Sequence, residues 1–219
     1  MTLREESMTL FSESERVPDA TLQGYTRSNR MLRSQIMEEA SLRVCAGHSI
    51  KNPVCFVALC TKTKPFSRSR TWASFSTLTG ADLVIWEQIA GGCVVPMAFE
   101  NEWPFTVFDP IEPHVDHTAE VLERRMRSFF STHRYRKIVA AFLPRKAQRA
   151  LLSRVCAGMG IELAIVPTPL QWAQFMRLMP SRRMAGKKSR WYVQTHGPSM
   201  YAPLCHPIVR EWAQKEINR

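Results

Sequence analysis

Val54-Cys-Phe-Val-Ala-Leu59, running straight into Cys60-Thr-Lys-Thr-Lys64-Pro-Phe-Ser67-Arg-Ser69-Arg-Thr71, is the stretch on which the fold turns. Its first six residues are apolar, rich in strand formers and preceded by Pro53, which is how a buried strand reads. The twelve that follow hold hydroxyls, a thiol, four cations and no acid. A strand whose carboxyl end opens into a polar, cationic loop is where open α/β sheets place their ligands. Pro65 fixes its own φ and biases Lys64 towards an extended backbone, which restrains the lysine. Taken alone, the loop reads equally as a solvated basic turn and as a site.

Three further apolar runs read as strands: Leu83-Val-Ile-Trp86 within Ala81–Gln88, Ile138-Val-Ala-Ala-Phe142, and Ile161–Val166, which Pro167 and Pro169 close. Helical spacing fills the intervals. Asn29 is placed to cap a helix to Gly47 with Leu32, Ile36, Ala40 and Val44 on one stripe. Trp72–Thr79 is a short helix at best. Val121, Leu122, Met126 and Phe129 mark a helix over Val115–Thr132. Pro144 is placed to open another that ends at Gly158 or Gly160, and Leu170–Met179 forms a last one. The alternation predicts an α/β fold with an open, mainly parallel sheet flanked by helices, Rossmann-like or flavodoxin-like. It has an N-terminal helix and a basic C-terminal extension. Residues 1–28 read as weakly structured, 29–180 as the α/β domain and 181–219 as the extension.

Composition narrows the function classes. The chain has 219 residues, 45% of them hydrophobic, which is ample for a real core. No apolar run approaches the ~20 residues that span a bilayer, and Met1–Ser7 lacks the basic start and apolar centre of a secretory signal. Six cysteines without tight spacing do not make a disulfide scaffold, and no Cys-x-x-Cys or paired Cys/His spacing suggests a structural zinc. Cys45, Cys55 and Cys156 sit in apolar contexts and read as small core residues. A cytoplasmic, reduced protein with no membrane partner is expected. His114 and His117 have no third ligand at a telling distance and read as surface or capping residues, so no metal is assigned. There is no glycine-rich phosphate loop and no nucleotide-cofactor fingerprint, so no cofactor is assigned either.

The formal net charge is +11, and it is unevenly spread. Residues 1–40 carry seven acids against five bases, whereas no acid lies between Glu162 and Glu211 and seven Lys/Arg do. Such asymmetry suits a polyanion. Arg182, Arg183, Lys187, Lys188 and Arg190 run directly into Trp191-Tyr192, cations beside aromatics that can grip phosphates and an unstacked base. A basic tail with no partner is the bland alternative.

A second block lies downstream: Gly92-Cys-Val94-Val-Pro96-Met-Ala-Phe99-Glu100-Asn-Glu-Trp103-Pro104-Phe-Thr-Val-Phe108-Asp109. It alternates aromatics with Glu100, Glu102 and Asp109, and reads either as a packed loop with surface acids or as an aromatic-walled pocket for a flat heterocycle. Together the two blocks resemble the core of archaeosine synthase. That family's signature is a cysteine, three residues, Lys-Pro-Tyr, then a serine and a histidine at fixed spacing. Cys60, Lys64, Pro65 and Ser69 sit in register, Phe66 replaces the tyrosine, and Trp72 stands where the histidine would be. The second block resembles the family's Val-Pro, Leu-Glu, Tyr-Pro and Tyr-Asp run with every interval kept. The resemblance covers roughly Pro53–Pro167.

It implies a substrate class, a 7-deazaguanine base of the preQ0 (7-cyano) type carried in DNA or tRNA, and a reaction at the 7-substituent. That reaction is nitrile amidation or a related conversion such as decarboxylation. It implies a catalytic set of Lys64, Cys60, Ser69, Glu100 and Asp109, and substrate contacts from Ser67, Pro96, Phe99, Trp103 and Phe108. The archaeal enzymes carry transglycosylase-like and RNA-binding domains beyond this core. A short, free-standing core therefore fits modification of DNA, as in a phage genome acting in its host's cytoplasm, beside a partner transglycosylase that inserts the base. The alternative is a binding module that kept the fold and base pocket, lost the chemistry, and supports a partner enzyme on nucleic acid. Retention of Cys60 and Lys64 favours the enzyme; the missing histidine favours the module.

Overall fold

A computed structural model describes residues 35–61, 65–87, 93–101, 116–141, 143, 146–178 and 207–219. Five strands form one sheet: β1 (Val54–Leu59), β2 (Asp82–Glu87), β3 (Cys93–Pro96), β4 (Lys137–Ala141) and β5 (Glu162–Val166), in the order β3-β2-β1-β4-β5. β2, β1, β4 and β5 run parallel, and β3 pairs antiparallel with β2. The helices are α1 (Gln35–Gly47), α2 (Arg70–Phe75), α3 (Asp116–Thr132), α4 (Lys146–Met159), α5 (Pro169–Leu178) and α6 (Pro207–Ile217). The expected α/β architecture is present.

Every residue of β1 is buried, as its unbroken apolar sequence requires of a central parallel strand. From β1 the chain steps one way to β2, and from β4 it steps the other way to β5. Right-handed crossovers in opposite directions place α2 and α4 on opposite faces. α1, α3 and α4 pack in one layer, and α2 and α6 meet in the other. The reversal falls between β1 and β4, so the topological switch point is at the carboxyl end of β1, where ligands of such sheets bind.

β3 was not among the expected strands. Val94-Val95 is too short a run, between Gly91-Gly92 and Pro96, to stand out, and it forms because β2 offers an edge and the residues are buried. Two helix starts also move. α2 begins at Arg70, ahead of the expected Trp72, because Ser69 caps it. α5 begins at Pro169 because Thr168 and Gln171 form a reciprocal capping box, at 3.2 and 2.7 Å. The described part of the 181–219 stretch is not loose: α6 buries Val209, Trp212, Ala213 and Ile217 against the sheet. Gln214 bonds both the amide and the carbonyl of Thr79, each at 3.0 Å. Buried Lys137 reaches Glu162 at 3.0 Å and Glu216 of α6 at 3.7 Å.

The amino-terminal edge is fastened by a buried polar cluster. Asp82 accepts from the Lys51 amide (3.0 Å), the Asn52 side chain (2.8 Å) and the Tyr135 hydroxyl (3.1 Å). With its proton so committed, the Tyr135 oxygen accepts from Nε2 of His48 at 2.7 Å, and burial raises the Tyr135 pKa. Burial, then the neighbouring His133, pushes His48 down to about 4. The Asp82 carboxylate and the Tyr135 hydroxyl are both bonded, as buried polar groups must be to be tolerated.

Candidate functional site

The ladder of β1 outlasts its last strand residue. The Cys60 amide donates to the Trp86 carbonyl at 3.0 Å, fixing the half-buried Cys60 at the sheet's carboxyl edge. The next residues, including Lys64, lie outside the described residues. The chain is described again at Pro65, whose φ of −57° and ψ of 155° lead into a 3-10 turn over Phe66–Arg68. Ser69 then turns the backbone into α2, its hydroxyl oxygen accepting from the Trp72 amide at 3.1 Å. This is the N-cap that serine at such a boundary supplies, contributing about 1 kcal/mol. Phe66 is buried beneath the turn, and Arg68 and Arg70 are exposed on it.

Trp72 is fully buried. Its indole nitrogen donates to the Leu59 carbonyl at 3.1 Å, and its ring meets Phe56 and Phe75 edge-on. Both ends of the Cys60–Ser69 loop are therefore tied to one another through a side chain. The indole N–H is not a proton-transfer group in this position: its proton is spent on a structural carbonyl.

The second block reaches the first. Pro96 is buried at the end of β3, opposite Val84, and Met97–Phe99 makes a 3-10 turn with Phe99 half-buried. Glu100 follows, and its Oε2 accepts from the Ser67 amide at 2.7 Å. The bond joins residues 33 apart in sequence, one in each block. A carboxylate taking a backbone N–H at this length is a charge-assisted bond, among the stronger neutral-to-ion contacts.

The structure thus describes Cys60, Ser67, Ser69, Pro96, Phe99 and Glu100, and brings Ser67 and Glu100 into direct contact. Trp103, Phe108 and Asp109 lie outside the described residues, as do Arg182, Arg183, Lys187, Lys188, Arg190 and Trp191. Two residues were not singled out for what they do here. Trp72 is a brace, which only its neighbour in space, Leu59, reveals. Trp86 supplies the carbonyl that holds Cys60, and its own buried indole N–H has no partner among the described residues.

Three other thiols are more deeply buried than Cys60. Burial pushes Cys45 up to about 11, Cys156 up to about 12, and Cys55 well above the ordinary thiol range. These three are core residues, as their contexts predict, and inert at neutral pH. Among the described residues no group of three His, Cys, Asp or Glu side chains is placed to hold a metal ion. No described helix is long and apolar enough to cross a membrane.

No protein family and no curated protein matches this chain. A solved structure, that of AF0587, a protein of unknown function, is similar over 61% of this chain at 19% identity and a TM-score of 0.44. The match spans 43% of that protein's length.

Proposed function

We propose that this chain is an archaeosine-synthase-like enzyme that modifies the 7-substituent of a 7-deazaguanine base carried in DNA or tRNA. The observation that carries the reading is the 2.7 Å bond from the Ser67 amide to Glu100. Two sequence blocks that resemble one family's signature are joined in space, and the first of them follows directly on the carboxyl end of β1, where such sheets bind ligands.

The chemistry follows from the residue types. A nitrile carbon is electrophilic, and attack on it places negative charge on nitrogen, which must be met by a donor. Cys60 is half-buried, unlike the inert core thiols. Addition of its thiolate to the nitrile carbon forms a C–S bond and, with a proton delivered to nitrogen, gives a thioimidate. Attack by an amine donor then expels the thiolate, leaving an amidine and restoring Cys60. Lys64 is the residue to which the reading gives the cation's part: as an ammonium it polarises the nitrile nitrogen, and as a neutral amine it accepts the incoming amine's proton. Phosphate contacts from the basic tract 182–190 hold the polynucleotide, and a transglycosylase that inserts the base acts before this step.

The reading is tested by mass analysis of nucleosides from DNA and tRNA of cells that make preQ0 and this protein. A new 7-substituted deazaguanosine in either pool is the expected result, and which pool holds it names the substrate. Unchanged nucleosides in both would contradict the enzyme.

The binding-module reading has one observation in its favour. Trp72 fills the histidine position with a buried ring whose N–H is committed to Leu59. A core that had lost a proton-transfer group would retain affinity for the modified polynucleotide and show no conversion.

A further inference from the structure

We infer that Glu100 is a positioning residue, whose carboxylate holds the Pro65–Ser69 turn in place rather than moving a proton or reading the edge of the base. The inference rests on the proposed function for what is positioned, but its structural half stands alone.

The turn that follows the candidate reactive segment has its own orphan donors. The first amides of a helical turn lack intrahelical acceptors, and they favour negative charge. The Ser67 amide, inside the 3-10 turn, finds its acceptor in Glu100 Oε2 at 2.7 Å. The acceptor comes from a separate part of the chain, so its removal leaves a half-buried N–H without its bond and removes a link between the turn and the residues that follow β3. The neighbouring polar side chains are engaged in the same kind of task. Ser69 caps α2, and the Trp72 indole binds the Leu59 carbonyl. The Cys60 amide is pinned to Trp86.

Cys60 and the Pro65–Ser69 turn are thus each held by bonds that take no part in chemistry. A frame of this kind keeps a nucleophile and a cation in register with a substrate, and an error of 1 Å in such register can cost about a hundredfold in rate. The carboxylate's contribution here is a bond that fixes the turn; it neither moves a proton nor presents its charge to the substrate.

That distinction is testable, because Glu100→Gln keeps an acceptor oxygen and removes the charge, whereas Glu100→Ala removes both. Two measurements are made on each variant. The first is amide hydrogen exchange at Ser67, which needs no substrate. The second is turnover of an oligonucleotide containing 7-cyano-7-deazaguanine, with kcat and KM separated and the pH profile recorded. Positioning predicts fast Ser67 exchange in Glu100→Ala and near-wild-type protection in Glu100→Gln. It predicts that Glu100→Ala lowers kcat by about ten- to a hundredfold with little change in KM. Glu100→Gln should stay within about threefold of wild type and keep both limbs of the pH profile.

A Glu100→Gln variant that protects Ser67 yet loses turnover as severely as Glu100→Ala would overturn the inference, because the charge itself would then be needed. So would unchanged Ser67 exchange in Glu100→Ala. If the wild-type protein converts nothing while Ser67 exchange responds as stated, the frame stands and it is the proposed reaction that fails.

Discussion

The indole nitrogen of Trp72 donates to the carbonyl of Leu59 across 3.1 Å, bonding the first turn of α2 to the last residue of β1. Trp86, on the neighbouring strand and equally buried, has no partner for its own N–H among the described residues. The two tryptophans offer a controlled comparison. Phenylalanine removes the same atoms from each, but at position 72 it also leaves the Leu59 carbonyl short of its donor. At position 86 it removes an unsatisfied polar group instead. Trp72→Phe should therefore be more destabilising than Trp86→Phe by about 1–3 kcal/mol. Urea unfolding of the two variants under one set of conditions measures the difference, and equal losses would mean the Trp72 bond contributes nothing.

Stability should also fall on mild acidification. His48 is held neutral by burial, with its pKa lowered to about 4 from an ordinary value near 6.5. The unfolded chain takes up a proton at His48 that the folded chain refuses. Its contribution is therefore fully present above about pH 6.5 and is lost as pH falls towards 4, to a limit of about 3 kcal/mol. Glu38 and Glu123, held below the usual carboxylate range and bonded to Arg125 and Arg127 respectively, lose their contributions only at lower pH. The urea midpoint is expected to drop between pH 7 and pH 5, and less so in His48→Phe. A midpoint that stays flat across that interval would show that His48 protonates in place.

Much of this fold was legible because its strands are short apolar runs closed by Pro, Gly or polar loops. Val54–Leu59 is buried along its whole length, so no alternation was needed to recognise it. β3 escaped because its four residues lie inside a motif block and their partner, β2, is identified only by pairing. α6 escaped for a different reason. Net basic charge grouped Pro207–Ile217 with the preceding tract, although Val209, Trp212 and Ala213 recur at helical spacing and bury one face. At the site, residue types and order pointed to the two blocks, but a bond such as Ser67 to Glu100 is a fact of the folded chain. Likewise Ser69 carried a signal for capping, a serine just before a helix, that the reading of it as a site residue obscured.

The basic tract should supply affinity without chemistry. Replacing Arg182, Arg183, Lys187 and Lys188 with alanine removes four phosphate partners. If all four are engaged on duplex DNA, the slope of log affinity against log salt should become shallower by about 0.9 for each. Fluorescence anisotropy of a labelled duplex over a salt series measures it. An unaltered slope would assign these residues to a solvated tail.

Turnover of a 7-cyano-7-deazaguanine oligonucleotide by the wild-type protein and by Lys64→Met tests the central claim most directly. Methionine keeps the length and apolar bulk of the stem and removes the nitrogen. Loss of a transition-state contact to the nitrile, or of proton management at the amine, should lower turnover by about a hundredfold or more. Binding of the oligonucleotide should change little, since phosphate contacts dominate it. Cys60→Ser measured alongside separates the routes: only a thioimidate intermediate predicts near-complete loss there as well. The account predicts conversion by the wild-type protein and its collapse in Lys64→Met with affinity preserved. Conversion by Lys64→Met at the wild-type rate, or none by either protein, would contradict it.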